Sequence, residues 1–202
     1  MVLYGIRLQA IYPYGLGWGG GTVNAKLWKA YAPGDTRRSA GIISIDDEKL
    51  DFQNRKDQRE YTGYYMKKYT PMADSAGKSL AEKMGGTSFM ISQYQDYVSI
   101  RYADVLLMAA ELGSPKAQQY FDAVRQRAYG SGFTQIPVSP SNMLNERRLE
   151  FAGEGIRYWD LLRQGINVAA AAIAESSTIE SGGANVAKTI AASRIIETQG
   201  LS

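Results

Sequence analysis

Apolar residues recur at helical spacing in the second half of this 202-residue chain. The segment 99–112 is apolar on nearly every face of a helix, which predicts a buried helix that ends at Gly113. Ser114 and Pro115 then provide an N-cap and a first helical position for the next helix. The apolar positions of that next helix are Ala117, Tyr120, Phe121, Val124 and Ala128. The pattern therefore predicts a helical hairpin.

A second pair of helices is predicted after a break rich in Gly and Pro at 130–140. Ser141 is a candidate N-cap for a helix that reaches Ala152, and a further helix at 156–164 ends at Gly165. Helix pairs with such tight links resemble tetratricopeptide-type stacking. Beyond Gly165 the pattern predicts a helix at 168–175, a loop at 176–183 and a helix at 184–198.

The first half of the chain has a different composition. Ten of the 14 tyrosines lie at or before Tyr97. The segment 12–21 is too rich in glycine to form a stable helix, so we predict an ordered loop there. Short strands are predicted at 42–45 and 64–69, and the mixed-charge segment 46–60 between them is predicted to be a solvated connection.

These patterns predict a mainly α fold, in which tetratricopeptide-like helical hairpins follow a loop-rich, partly extended N-terminal segment. We place the change at residue 96, which gives a loop-rich segment with many aromatic and glycine residues at 1–96 and a helical region at 97–202. With 45% hydrophobic and 21% charged residues, the composition is that of an ordinary globular protein. We expect the two regions to form one structural unit.

Composition and charge remove several kinds of chemistry. The chain contains no Cys and no His, which excludes thiolate nucleophiles, zinc sites built from Cys or His, and Ser-His-Asp triads. The formal net charge is +3, but the arginines of the second half alternate with acidic residues and form no basic face, so nucleic-acid binding is not expected. The acidic run 46–51 lacks the ligand spacing of an EF-hand loop. We therefore expect no metal and no cofactor.

The segment 145–165 has an unusual density of opposite charges. One interpretation takes Glu146 and Glu150, one helical turn apart, as the paired carboxylates of a glycoside hydrolase. Each of them, however, has an Arg within reach that lowers a carboxyl pKa, which is the wrong direction for a general acid. We favour the alternative, a structural ion-pair network across two helices, with no catalytic residue. Its predicted members are Glu146, Arg148, Glu150, Arg157 and Asp160.

Three segments, in order, resemble the signature blocks of a known family. They are 100–111 (IRYADVLLMAAE), 124–128 (VRQRA) and 146–163 (ERRLEFAGEGIRYWDLLR). The family is that of the SusD/RagB-type outer-membrane nutrient-binding proteins of the Bacteroidetes. Trp18-Gly19 and the tetrapeptide Asp35-Thr-Arg-Arg38 also resemble upstream features of that family.

The resemblance implies a protein that binds glycans or other nutrients without catalysis at the outer-membrane surface. It also implies a partnership with a SusC-like TonB-dependent transporter that imports the ligand. Members of the family are usually much longer and begin with a signal peptide and a lipid-anchored Cys. We therefore expect this chain to be the C-terminal portion of a longer protein, with its lipid anchor outside the chain and some apolar helix faces left uncovered.

A glycan site combines aromatic rings, which stack on the C–H faces of sugars, with polar side chains that bind the hydroxyls. Our candidate ligand-binding residues are Tyr12, Tyr14, Trp18, Asn24 and Trp28. Packing within the loops would explain the same residues. Trp159, by contrast, is predicted to lie in the core. The alternative function, from a different class, is a helical-repeat adaptor that binds only another protein.

Overall fold

The computed structural model describes residues 2–88 and 90–200. The chain divides into two compact units, and each is built from segments that are distant in the sequence. The first unit contains the described parts of 1–29, 38–96 and 177–188, and the second contains those of 30–37, 97–176 and 189–202. One boundary falls between residues 96 and 97, where the composition changes.

Short elements build the first unit. Its helices are α1 (Ala25–Ala30), α2 (Arg37–Gly41) and α3 (Leu80–Lys83), and its first strands are β1 (Ile6–Arg7), β2 (Leu16–Gly17), β3 (Ile42–Ser44) and β4 (Tyr64–Met66). β3 pairs antiparallel with β4, with Ile43 opposite Tyr65. β1 pairs parallel with β2. The strands β3 and β4 confirm the first part of each extended segment predicted here, but β4 ends at Met66 and residues 68–69 form a turn.

The core of the first unit combines aliphatic and aromatic side chains, namely Ile6, Ile11, Tyr14, Ile43, Ile45 and Tyr65. Gly17 is required beside this core, because a Cβ atom there would lie 2.1 Å from the Cα atom of Gly5. Gln58 is buried and accepts a hydrogen bond from the Tyr65 hydroxyl at 3.0 Å. Most residues of the segment 46–60 are exposed, as predicted, and Gln58 is its one buried residue.

The chain forms a β-hairpin where a loop and the first half of a helix were predicted. β5 (Glu175–Ser181) and β6 (Ala184–Ile190) pair with each other across the dipeptide Gly182-Gly183. Both glycines have positive φ angles, 60° and 76°, which suit a tight hairpin turn. The predicted helix is therefore wrong up to Ile190, and only α9 (Ala192–Glu197) is helical.

Helices dominate the second unit. They are α4 (Tyr102–Glu111), α5 (Ala117–Tyr129), α6 (Pro140–Glu150), α7 (Arg157–Leu162) and α8 (Ile166–Ile173), followed by α9. α4 and α5 pack against each other, which confirms the predicted helical hairpin. The core of this unit is formed by Ala103, Leu107, Ala110, Phe121, Val124, Met143 and Phe151. A helix-rich fold with small sheets is therefore confirmed.

Two helices begin at residues other than those predicted. α5 begins at Ala117, and the Ser114 hydroxyl accepts the backbone N–H of Lys116 in the turn before it. α6 is capped by Ser139 instead of Ser141, because the Ser139 hydroxyl accepts the backbone N–H of Asn142 at 3.2 Å.

Two expectations about burial in the second unit are wrong. α4 is not buried on all sides, because Ala103, Leu107 and Ala110 face the core while Leu112, just past the end of the helix, is 86% exposed. Trp159 is 64% exposed and does not lie in the core. Its ring makes an edge contact with the ring of the preceding Tyr158.

Candidate functional site

Buried carboxylates of α6 are bound by arginines from other segments of the second unit. Glu146 accepts hydrogen bonds from Arg37 and, at 2.9 Å, from Arg125. Glu150 accepts from Arg37 at 3.0 Å and from the side chains of Arg101 and Arg127. We call the set the charged cluster; its members are Glu146, Glu150, Arg37, Arg101, Arg125 and Arg127.

Glu150 is unsuited to act as a general acid. Burial by itself raises the pKa of the Glu150 carboxyl, but hydrogen bonds from Arg101, Arg127 and Arg37 outweigh it and lower the pKa to about 2. A carboxylate that is ionised and bound by several guanidinium groups has no proton to donate at neutral pH. The arrangement is that of a structural ion-pair network.

Arg37 connects the charged cluster to the tetrapeptide Asp35-Thr-Arg-Arg38. Its Nε atom donates to Asp35 at 2.9 Å, and a terminal nitrogen donates to the other carboxylate oxygen at 2.7 Å. Burial lowers the pKa of the Arg37 guanidinium, but bonds to Asp35 and Glu146 raise it well above its ordinary value. Sequence reasoning noted this tetrapeptide and did not assign it a role in the network.

Asp160, the third predicted acidic member, belongs to a neighbouring set of ion pairs. Arg147 donates from Nε to both oxygens of Asp160 at 2.9 Å and from a terminal nitrogen to Asp104 at 2.7 Å. Arg163 donates to Asp160 at 3.2 Å. These contacts hold α4, α6 and α7 together within the second unit.

The two arginines predicted for the network, Arg148 and Arg157, have other surroundings. Arg157 donates to the backbone carbonyl of Leu144 at 3.0 Å. Burial and, secondarily, the charge of Arg148 lower the pKa of Arg157. Over residues 2–88 and 90–200, neither arginine is in an ion pair. The buried side of α6 presents Glu146, Arg147 and Glu150, and Arg148 lies off that side.

The predicted ligand-binding residues occupy different environments. Tyr14 is 1% exposed and its hydroxyl donates to Glu48, so its ring is not accessible to a sugar. The Trp28 ring stacks on Tyr64, with 5.0 Å between ring centroids, and the Arg38 guanidinium lies 4.8 Å from the Trp28 centroid. Both rings therefore contribute to packing.

The other three candidates are exposed. Asn24 precedes α1, and its Oδ1 atom accepts the backbone N–H of Lys26 at 2.8 Å, as a helix cap does. Tyr12 lies in the loop before β2 and is exposed. Trp18 is 49% exposed and lines a groove in the first unit.

We call this cavity the Trp18 groove. Its volume is about 410 Å³, within the roughly 300–1,000 Å³ typical of small-molecule sites. Its polar and aromatic lining residues are Trp18, Arg7, Arg59, Glu60, Thr22 and Ser181, and the glycines 19–21 also line it. A second cavity of about 130 Å³ in the same unit has no aromatic lining residue among those described. The Trp18 groove is thus the better candidate for a sugar site.

The glycines after Trp18 let the loop approach its neighbours closely. A Cβ atom on Gly19 would lie 2.7 Å from the Cβ atom of Arg7, and one on Gly20 would lie 2.6 Å from Leu3. Gly19 also has a φ angle of 72°, which other residues rarely adopt. The glycine run therefore places Trp18 beside Arg7, a residue that sequence reasoning did not select.

Two guanidinium groups line the Trp18 groove without an acidic partner. The Nε atom of Arg7 is buried and has no hydrogen-bond partner in the part of the chain that the structure describes. Arg59 is exposed and makes no ion pair with any described residue. Glu60 pairs instead with Lys188 at 2.8 Å. The groove therefore combines an aromatic ring, hydroxyl groups and positive charge.

The residues that the structure describes contain no group of three or more acidic side chains that could hold a metal ion. None of the described helices is long and apolar enough to cross a membrane.

Comparison with known proteins decides the family. A family model described as the SusD family matches residues 47–199. The chain belongs to the SusD family. The match contains the blocks at 100–111, 124–128 and 146–163, which confirms the resemblance, whereas Trp18 precedes it. SusD-like protein P2 of Formosa agariphila is 29% identical over 182 residues, which cover 79% of this chain and 34% of that protein.

Solved structures of similar proteins include surface glycan-binding proteins. Surface glycan-binding protein A from Bacteroides thetaiotaomicron, in complex with laminarihexaose, has a TM-score of 0.67 and 27% identity and covers 86% of this chain and 38% of its own. A laminarin binding SusD-like protein has a TM-score of 0.67 and 30% identity and covers 85% of this chain and 37% of its own. The chain of this SusD family member thus spans roughly a third of the length of these relatives.

Proposed function

We propose that this chain is part of a non-catalytic glycan-binding protein at the bacterial outer-membrane surface, and that the Trp18 groove binds the sugar. The observation that carries the proposal is an exposed Trp ring in a groove of about 410 Å³, in a chain of the SusD family. The similar structure in complex with laminarihexaose supports a glucan oligosaccharide as the first ligand to test.

The side chains of the groove suit a sugar. The Trp18 ring offers a flat apolar surface for the C–H face of a pyranose, and Thr22, Ser181 and Arg59 offer hydrogen-bonding groups for its hydroxyls. Tyr12 and Asn24, which are exposed in the same unit, are proposed as secondary contacts for a longer glycan. Tyr14 and Trp28 are proposed to support the loop through packing.

The proposal excludes turnover. Glycoside hydrolysis uses two carboxyl groups that flank the scissile bond. Glu60 is the one acidic residue among the described residues that line the groove. Glu146 and Glu150 belong to the charged cluster, where the low pKa of Glu150 is unsuited to a general acid.

The wider setting of the proposal follows from the family resemblance. We propose that the whole protein delivers its glycan to a SusC-like TonB-dependent transporter and is held at the membrane by a lipid anchor. The helical second unit then acts as a scaffold, and we propose that its hairpins stack in the manner of tetratricopeptide repeats.

Calorimetric titration of the chain with laminarihexaose and a panel of other glycans tests the proposal. Trp18→Ala should weaken binding about tenfold or more, because the stacking surface is lost. The matched control is Trp159→Ala, which removes an exposed Trp in the other unit and should leave affinity unchanged. Equal effects of both variants would contradict the assignment of the groove. Failure of every glycan, with retained binding of a SusC-like partner, would favour the protein–protein adaptor.

A further inference from the structure

We infer that the Trp18 groove selects a glycan that carries an anionic group, a uronate carboxylate or a sulfate ester, over the matching neutral glycan. The inference rests on the proposed function, since it names the ligand class of the same groove. The structural basis is the presence of Arg7 and Arg59 beside Trp18 without an acidic partner for either among the described residues.

The charge balance of the groove favours an anion. Two guanidinium groups and one carboxylate line it, and that carboxylate, Glu60, already pairs with Lys188 at 2.8 Å. Elsewhere in the chain, Arg37, Arg101 and Arg147 each bind carboxylates of the protein itself. Arg148 and Arg157 also form no ion pair with a described residue, but they do not line the groove, whereas Arg7 and Arg59 do.

The two arginines provide complementary contacts. The Nε atom of Arg7 is buried without a partner, and a buried donor without an acceptor is destabilising. That atom is closed to solvent, so Arg7 acts on a ligand in the groove through its positive charge. Arg59 is exposed and able to adjust, and its planar guanidinium can bind two oxygens of a carboxylate or sulfate at once. A neutral hydroxyl can accept one such hydrogen bond, but its attraction to the positive charge is weaker.

The backbone around Arg59 is held in an unusual conformation. Glu60 has a φ angle of 52°, in the left-handed region that residues other than glycine seldom adopt. Its pairing with Lys188 directs the carboxylate to a protein partner. This arrangement leaves Arg59, the preceding residue, as the cation available to a ligand in the groove.

The test uses three ligands with one backbone, namely laminarihexaose, its sulfate ester and its derivative oxidised to the uronate, with inorganic sulfate as a fourth titrant. The variants are Arg59→Gln and, as a control with the same charge change, Lys29→Gln, an exposed residue of the first unit that does not line the groove. Titrations at about 0.1 M and about 1 M NaCl compare Debye lengths of roughly 10 Å and roughly 3 Å.

We expect one or both anionic ligands to bind about tenfold more tightly than laminarihexaose, with the advantage reduced at high salt. Arg59→Gln should remove most of that advantage and weaken laminarihexaose binding much less than it weakens binding of the anionic ligand, whereas Lys29→Gln should change neither affinity. The two anionic ligands separate a carboxylate from a sulfate preference. Inorganic sulfate alone should bind weakly, because it cannot stack on Trp18.

Two outcomes would overturn the inference while the proposed function stands. One is equal affinity for the neutral and anionic ligands. The other is an equal loss in Arg59→Gln and Lys29→Gln, which would show a general attraction to a chain of net charge +3. If none of the three glycans binds, the proposed function itself is contradicted, and the inference fails with it. Melting curves of both variants confirm that each is folded.

Discussion

Replacement of Glu150 by Gln tests whether the charged cluster stabilises the fold. The substitution removes one negative charge from a side chain that is 1% exposed and keeps its shape. The amide oxygen of the new side chain could still accept a hydrogen bond, but Arg37, Arg101 and Arg127 would lose the charge that they share. In the variant, Arg37 would still form ion pairs with Asp35 and Glu146. Arg101 and Arg127 would keep fewer partners than Arg37.

The size of the effect follows from the pKa of Glu150. A pKa lowered from its ordinary 4.5 to about 2 corresponds to about 3 kcal/mol of folding free energy at neutral pH. This agrees with the roughly 3–5 kcal/mol expected when one partner of a buried ion pair is removed. For a chain of 202 residues, a loss of about 3 kcal/mol lowers the melting midpoint by roughly 6–12 °C.

The same contribution has a defined pH dependence. Because the folded-state pKa of Glu150 lies below the unfolded value, its stabilisation is present above pH 4.5 and is lost as the pH falls from 4.5 towards 2. Wild type and Glu150→Gln should therefore differ by about 3 kcal/mol in urea unfolding at pH 7. The difference should shrink towards zero near pH 2.

A matched control distinguishes the effect of losing this buried charge from the effect of losing a carboxylate at an exposed position. Glu197 is an exposed residue of the second unit, and Glu197→Gln should change the unfolding free energy by no more than about 0.5 kcal/mol. If Glu150→Gln is as stable as Glu197→Gln at pH 7, the proposal that the charged cluster stabilises the fold is contradicted. A difference that persists unchanged at low pH would refute the electrostatic explanation.

Three further substitutions address packing, a single hydrogen bond and an uncovered surface. Trp28→Ala should cost about 1–2 kcal/mol in urea unfolding, because ring stacking and a cation–π contact are lost; unchanged stability would refute the packing role. Arg157→Ala removes a bond to the carbonyl of Leu144 and should lower the unfolding free energy by about 1 kcal/mol, seen as a slightly lower thermal midpoint, without changing glycan affinity; a stable variant that no longer binds would reassign Arg157 to the ligand. Leu112→Lys should reduce the fluorescence of a bound hydrophobic dye and leave the midpoint nearly unchanged, because Leu112 is 86% exposed; equal dye binding would place the apolar surface elsewhere.

The helices of the second unit were predictable because periodicity and chain breaks agree there. Phe121, Val124 and Ala128 recur at helical spacing and are all buried, and Gly113 follows the end of α4 as predicted. The β5–β6 hairpin was missed because its strands are mostly exposed. Their sequences therefore show no alternation of apolar and polar residues that would predict strands. The usable signal was Gly182-Gly183, the dipeptide of a two-residue hairpin turn.

The ion pairs show why local spacing is a limited guide. Helical spacing suggested partners for Glu146 and Glu150 within the segment 145–165, but the contacting Arg37 lies 109 and 113 residues away from them in the sequence. Burial of the carboxylates follows from the face of α6 that packs inward. The identity of their partners follows only from the tertiary fold.

The charged cluster and the Trp18 groove differ in what a sequence can reveal about them. In the charged cluster, each buried charge is compensated by another residue of the same chain, so an excess of alternating Glu and Arg is visible before the fold is known. In the groove, Arg7 and Arg59 are distinguished by the partner that they lack among the described residues. An unpaired charge is defined by contacts that do not form, and these can be established only in the folded chain. An anionic ligand would balance these two charges, so the unpaired charge of the proposed binding site is the property that the sequence indicates least.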